Sequence, residues 1–158
     1  KDNWFLVNVL SKLGMEYENK FTNLGSKIPT SCKHPYYLSN MWVNYQKQYE
    51  FNPIHDHNGI YSFVIWMKIP TEFKDQIELL IAENSNTHVI SNFCFMYQNI
   101  IGGMQQFIYE MSKEMEGTIL FFPSELNHIV YPFYGCKEDR ISISGNIKLN
   151  TNQINSIS

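Results

Sequence analysis

The run from Ile60 to Ile69 is almost wholly apolar and aromatic, and Pro70 stops it. An apolar run this short, closed by a breaker, predicts a strand buried on both faces. The rest of the chain from Met41 onward repeats the theme. Trp42-Val43-Asn44-Tyr45 carries β-formers, Tyr49 to Asn52 leads into Pro53, and Ile77 to Ala82 and Phe93 to Tyr97 are further short apolar runs. Ile119 to Phe122 is a strand closed by Pro123, and His128-Ile129-Val130-Tyr131 is stopped by Pro132. Gly102-Gly103 marks a turn. Met104 to Met115 reads two ways: Phe107, Met111 and Met115 recur at helical spacing, whereas Gln106 to Met111 alternates as a strand; Gly117 ends either. Many short strands with turn signals between them predict an all-β core, an antiparallel sandwich or barrel.

The length of 158 residues fits one domain with a real core, and 44% hydrophobic with 15% aromatic residues excludes a disordered chain. Residues 1–40 read as an N-terminal segment packing on the barrel. There Trp4 to Leu13 is a short helix or strand ended by Gly14, and Gly25 to Ser31 is loop-like. Residues 41–149 form the barrel core, and the Asn/Ser-rich tail over 150–158 is expected to fray. A net charge of −3 without any Lys/Arg-rich run gives no footprint for nucleic acid.

No apolar stretch reaches the length of a membrane span, and Trp4-Phe5-Leu6-Val7 lacks a signal-peptide layout. Cys32, Cys94 and Cys136 are odd in number, far apart and without CxxC spacing, which predicts reduced, mostly buried thiols and a cytoplasmic, reducing compartment.

Against this β background stands His55-Asp56-His57, just after Pro53, with His128 and Arg140 far downstream. Histidines at i and i+2 share one side of an extended strand, and a third from a distant strand would complete a facial metal site. Imidazole suits iron, zinc, copper or nickel. Alternation favours His55, His57 and His128 as ligands, with Asp56 on the opposite side; a bulge would instead turn Asp56 inward as the carboxylate of a two-histidine set. His34 and His88 each sit alone in polar stretches and are left out.

Arg140, Ser142, Ser144 and Asn146 share one face of the last strand, Arg140 to Leu149. That face meets solvent in an ordinary half-exposed strand and points inward in a barrel that holds a polar ligand. Buried there, Arg140 would require an anion, and its planar fork suits a carboxylate, with Ser142 as a neighbouring hydroxyl donor. Trp42, Tyr45 and Trp66 are candidates for lining a dry pocket, although each also suits core packing.

Two blocks carry a resemblance: MWVNYQKQYEFNPIHDHNGIYSFVIWMKIP over 41–70 and EGTILFFPSELNHIVYPFYGCKEDRISISGN over 116–146. They resemble the iron(II)/2-oxoglutarate-dependent oxygenases, specifically the small phage and bacterial oxygenases related to prolyl 4-hydroxylases. The resemblance implies a double-stranded β-helix, a jelly-roll or cupin-like barrel. It implies metal binding by His55, His57 and His128, with His57 standing where most of the wider superfamily has Asp or Glu. It implies that Arg140, assisted by Ser142, holds the distal carboxylate of 2-oxoglutarate.

The cofactors it implies are Fe(II) and 2-oxoglutarate, with ascorbate as an auxiliary. The implied reaction is an O2-dependent hydroxylation, with release of succinate and CO2, of a substrate that the prolyl-hydroxylase likeness makes a peptide or protein side chain. Two other readings fit the residues: a three-histidine dioxygenase that does not use 2-oxoglutarate, and a non-catalytic metal- or ligand-binding β-barrel.

Overall fold

The computed structural model describes residues 3–30 and 34–151. Eight strands form two antiparallel four-stranded sheets. They are β1 (Tyr36–Gln46), β2 (Asn52–His55), β3 (Tyr61–Lys68), β4 (Phe93–Gln98), β5 (Met104–Tyr109), β6 (Ile119–Pro123), β7 (His128–Val130) and β8 (Arg140–Leu149). One sheet has the order β1-β8-β3-β6 and the other β2-β7-β4-β5. The chain thus crosses between sheets along its length, and the order is that of a double-stranded β-helix.

The predicted two-sided strand is β3, central in the first sheet between β8 and β6. Its inner side chains Val64 and Trp66 join Phe93, Phe95 and Phe122 in the core between the sheets. Its outer side chains Tyr61 and Phe63 pack with Ile60, Ile147 and Leu10 in a second core. Leu10 ends a π-helical turn (Leu6–Leu10) that runs directly into helix α1 (Ser11–Lys20). The N-terminal helix thereby covers the outer face of the first sheet.

Several local expectations are corrected. Gly14 does not end the first element: it is buried inside α1, and a Cβ there would only just touch the Phe121 ring at 4.0 Å. Glycine costs a helix about 1 kcal/mol, which the packed helix absorbs. Gly25 to Lys27 is a 3₁₀ turn within the loop-like stretch, of which Ser31 lies outside the described residues. Strand β1 begins at Tyr36 rather than at Met41.

Ile77 to Ala82 is not a strand. It follows the short helix α2 (Phe73–Gln76) and ends in a 3₁₀ turn (Leu80–Ala82) with Leu80 and Ile81 exposed, because no strand among the described residues pairs with its backbone. The Met104 to Met115 ambiguity resolves as strand β5, paired to β4 across a turn at Gly102, followed by a 3₁₀ turn (Lys113–Met115). At the C-terminus the Asn150 N–H donates to the Pro35 carbonyl (2.9 Å), and the tail from residue 152 on lies outside the described residues. No helix among the described residues is long and apolar enough to cross a membrane.

Candidate metal and carboxylate site

Between the sheets lies a cavity of about 580 Å³, lined by both of them. Its second-sheet wall carries the histidines. His55 ends β2 and stands directly opposite His128 on β7. The strand stops at His55, yet His57 still turns to the same side: its N–H donates to the Ser124 carbonyl (2.9 Å) at the end of β6. Ser124 is itself fixed, since its hydroxyl lies 2.8 Å from that of Ser62, which donates to Asn146 Oδ1 (2.7 Å). The Ser62 proton is used on Asn146, so Ser124 is the donor to Ser62.

The three rings converge. One ligand atom from each of His55, His57 and His128 lies within 4.8 Å of the others. Asp56 is exposed and stands outside this group, as do His34 and His88. The His128 Nδ1 donates to the Leu126 carbonyl (2.9 Å) and the His55 Nδ1 to the Pro53 carbonyl (2.7 Å), which leaves Nε2 of each ring as the lone-pair atom. The His55 lone pair meets the Asn52 amide at 3.2 Å, a contact that a metal ion would replace.

Burial pushes His128 down to about 4, and burial followed by the nearby His55 lowers His57. At neutral pH the His57 and His128 rings are therefore neutral, the form that ligates metal. Cys94 is buried, its thiol pushed up to about 11 by that burial, and Cys136 is half-buried; among the described residues both are free and neither joins the cluster. Cys32 lies outside the described residues.

The opposite wall carries Arg140, only 1% exposed. Its Nη2 donates to both the carbonyl (2.6 Å) and the hydroxyl (2.9 Å) of Ser91. Its Nη1 makes longer bonds to Gln46 Oε1 (3.3 Å) and the Tyr131 carbonyl (3.4 Å), and the guanidinium lies 5.0 Å over the Phe133 ring. Its Nε–H has no partner among the described residues. Burial lowers Arg140 to about 10, which leaves it cationic at neutral pH. A buried cation held by neutral groups alone among the described residues, with one donor spare, suits an anion.

Ser142 and Ser144 are buried on the same inward face, both accepting from the Asn44 amide (3.3 Å each). The polar face of β8 thus points into the cavity, while Ile147 on the other face is buried against the helix-covered core.

The family model described as "Putative 2OG-Fe(II) oxygenase" matches residues 40–146, from the middle of β1 through most of β8. The chain belongs to this 2OG-Fe(II) oxygenase family. The comparison with curated proteins returns no match. The donor set of this family member fits the groups the family uses. Three imidazoles converge as a metal ion requires, and a buried guanidinium without an acidic partner among the described residues suits a carboxylate.

Sequence reasoning did not find Ser91, Gln46 or Phe133 around Arg140, nor Asn52 beside His55. Ser91, Gln46 and Phe133 come from loops or another strand and reach the site only through the fold, whereas Asn52 opens the strand that His55 ends; none carries a motif.

Proposed function

We propose that the protein is an Fe(II)/2-oxoglutarate-dependent dioxygenase that hydroxylates its substrate, with a peptide or protein side chain as the substrate class. The observation that carries this reading is Arg140, a buried cation without an acidic partner among the described residues, in the same cavity as three converging histidines.

In this reading His55, His57 and His128 hold the iron, with Nδ1–H bonds to Pro53 and Leu126 setting ring orientation at two of them. Arg140 and Ser142 hold the distal carboxylate of 2-oxoglutarate. Bound together, iron and 2-oxoglutarate supply the oxidising chemistry, with succinate and CO2 as by-products. The chain supplies position and dryness: Phe93, Phe122, Val64 and Trp66 wall the cavity with apolar surface, and Ser91 keeps the guanidinium from turning. The cavity opens beside the exposed aromatics Tyr45, Tyr49 and Phe51, a rim that suits a substrate presented on a larger chain.

Anaerobic reconstitution with Fe(II) followed by 2-oxoglutarate titration tests this. The expected result is a weak visible charge-transfer band that is lost or much reduced in Arg140→Ala. Bound iron with no band in the wild type would overturn the 2-oxoglutarate assignment. Because all three candidate ligands are imidazoles, a three-histidine dioxygenase would then take its place, and O2 consumption without succinate would identify it.

A further inference from the structure

Arg140 is not the only buried donor left unsatisfied at the cavity. Trp66 is 2% exposed, lines the same cavity, and its indole Nε1–H has no partner among the described residues. Its ring packs edge-on against Phe93 at 5.7 Å, which fixes where the N–H stands. A buried N–H without an acceptor is costly and uncommon. Two of them on one cavity call for an acceptor that both can share.

The strand register places them together. Trp66 on β3 stands opposite Ser142 on β8, and Arg140 is two residues from Ser142 on the same face. Immediately beyond Trp66 the β3–β8 register shifts, so that Lys68 stands opposite the outward-facing Ile141 and pairs with Glu138. Trp66 is therefore the β3 side chain nearest Arg140 on the inner face. Ser142 accepts from Asn44, which leaves its own hydroxyl proton to give. Arg140 Nε–H, Trp66 Nε1–H and the Ser142 hydroxyl make three donors on one wall, and a carboxylate has about four lone-pair sites to receive them.

We propose that Trp66 is a binding residue whose indole N–H donates to the carboxylate that Arg140 attracts. The inference rests on the reading of Arg140 as the 2-oxoglutarate anchor, and it adds a donor that the sequence motifs do not mark. It also explains why a strand position filled for packing carries an indole rather than a plain aromatic ring.

The test is nuclear magnetic resonance on full-length, Zn(II)-loaded protein carrying ¹⁵N-labelled tryptophan, titrated with 2-oxoglutarate. The indole signals of Trp4, Trp42 and Trp66 are assigned by single Phe substitutions. Saturation is expected to move the Trp66 indole proton downfield, and Trp66→Phe is expected to weaken 2-oxoglutarate binding by about tenfold. Arg140-dependent binding that leaves the Trp66 signal in place would overturn this inference and leave the proposed function standing. Absence of 2-oxoglutarate binding to the wild type would overturn both. The wild-type signal decides the matter even if Trp66→Phe does not fold.

Discussion

Ser91 holds its backbone at φ 68, in the left-handed region that side chains adopt only at a cost. It is fully buried, and its N–H donates to the Pro132 carbonyl while its own carbonyl and hydroxyl both face Arg140 Nη2. The strain is offset by two bonds to Arg140 Nη2, for which Ser91 supplies the acceptors. Ser91→Ala keeps the strained backbone and loses the hydroxyl, so it should lower stability by about 1.5–3 kcal/mol. Ser91→Gly loses the same hydroxyl but fits the conformation, and should be milder by about 1 kcal/mol. Urea midpoints at unchanged slope would read the difference.

His128 supports a pH prediction at the same scale. Its folded value, about 4, lies below its ordinary 6.5, so between those values the unfolded chain binds a proton that the folded chain refuses. Metal-free protein should therefore keep this contribution above pH 6.5 and lose it progressively as pH falls toward 4, by of order 3 kcal/mol. His128→Asn should flatten that part of a stability-against-pH curve; an unchanged curve would refute the assignment.

Two glycines show how the elements constrain one another. Gly145 lies mid-β8, where a Cβ would come within 2.7 Å of both the Asn40 carbonyl on β1 and the Phe63 ring on β3. Backbone cannot yield as a side-chain tip can, so Gly145→Ala should cost about 1–3 kcal/mol and broaden the loss across the first sheet. Gly59 lies in the bend after His57, where a Cβ would meet Ser124 Oγ at 2.7 Å and the Ile147 carbonyl at 3.0 Å. Ser124 is the residue that holds His57, so Gly59→Ala should displace that ring and weaken Co(II) binding by roughly 10- to 100-fold. Calorimetric titration would measure it, with Gly145→Ala as the comparison that separates site damage from general instability. At this scale the sequence was legible where a breaker closes a run, as at Pro70 and Pro123. It was not legible over Ile77 to Ala82, because an apolar run reads the same whether or not a partner strand exists to receive it.

Across the whole molecule, the first sheet is a wall with two covered faces. The inner one lines the cavity and the outer one rests under α1 and the turn before it. Deleting residues 1–30 would expose Tyr61, Phe63 and Ile147, each at most 2% exposed in the intact chain. An apolar patch of that kind drives association, so the truncated chain should aggregate or fold only partly, although the family match begins at residue 40. Size-exclusion chromatography with circular dichroism would show it; a monomeric, cooperatively folded product would sink the prediction.

Period and punctuation determined the class of this fold. Alternation along β8 separated Arg140, Ser142, Ser144 and Asn146 from the isoleucines, and spacing put His55 and His57 on one side. These are local properties, written within a few residues of chain. Which face of β8 turns inward, whether three histidines meet, and what surrounds Arg140 depend on contacts between distant segments. His57 converges although its strand has ended, held by Ser124 just beyond β6. Ser91, Gln46 and Tyr131 enclose the guanidinium from three separate parts of the chain. No local pattern encodes such a meeting; it exists only once two sheets have closed over a shared core.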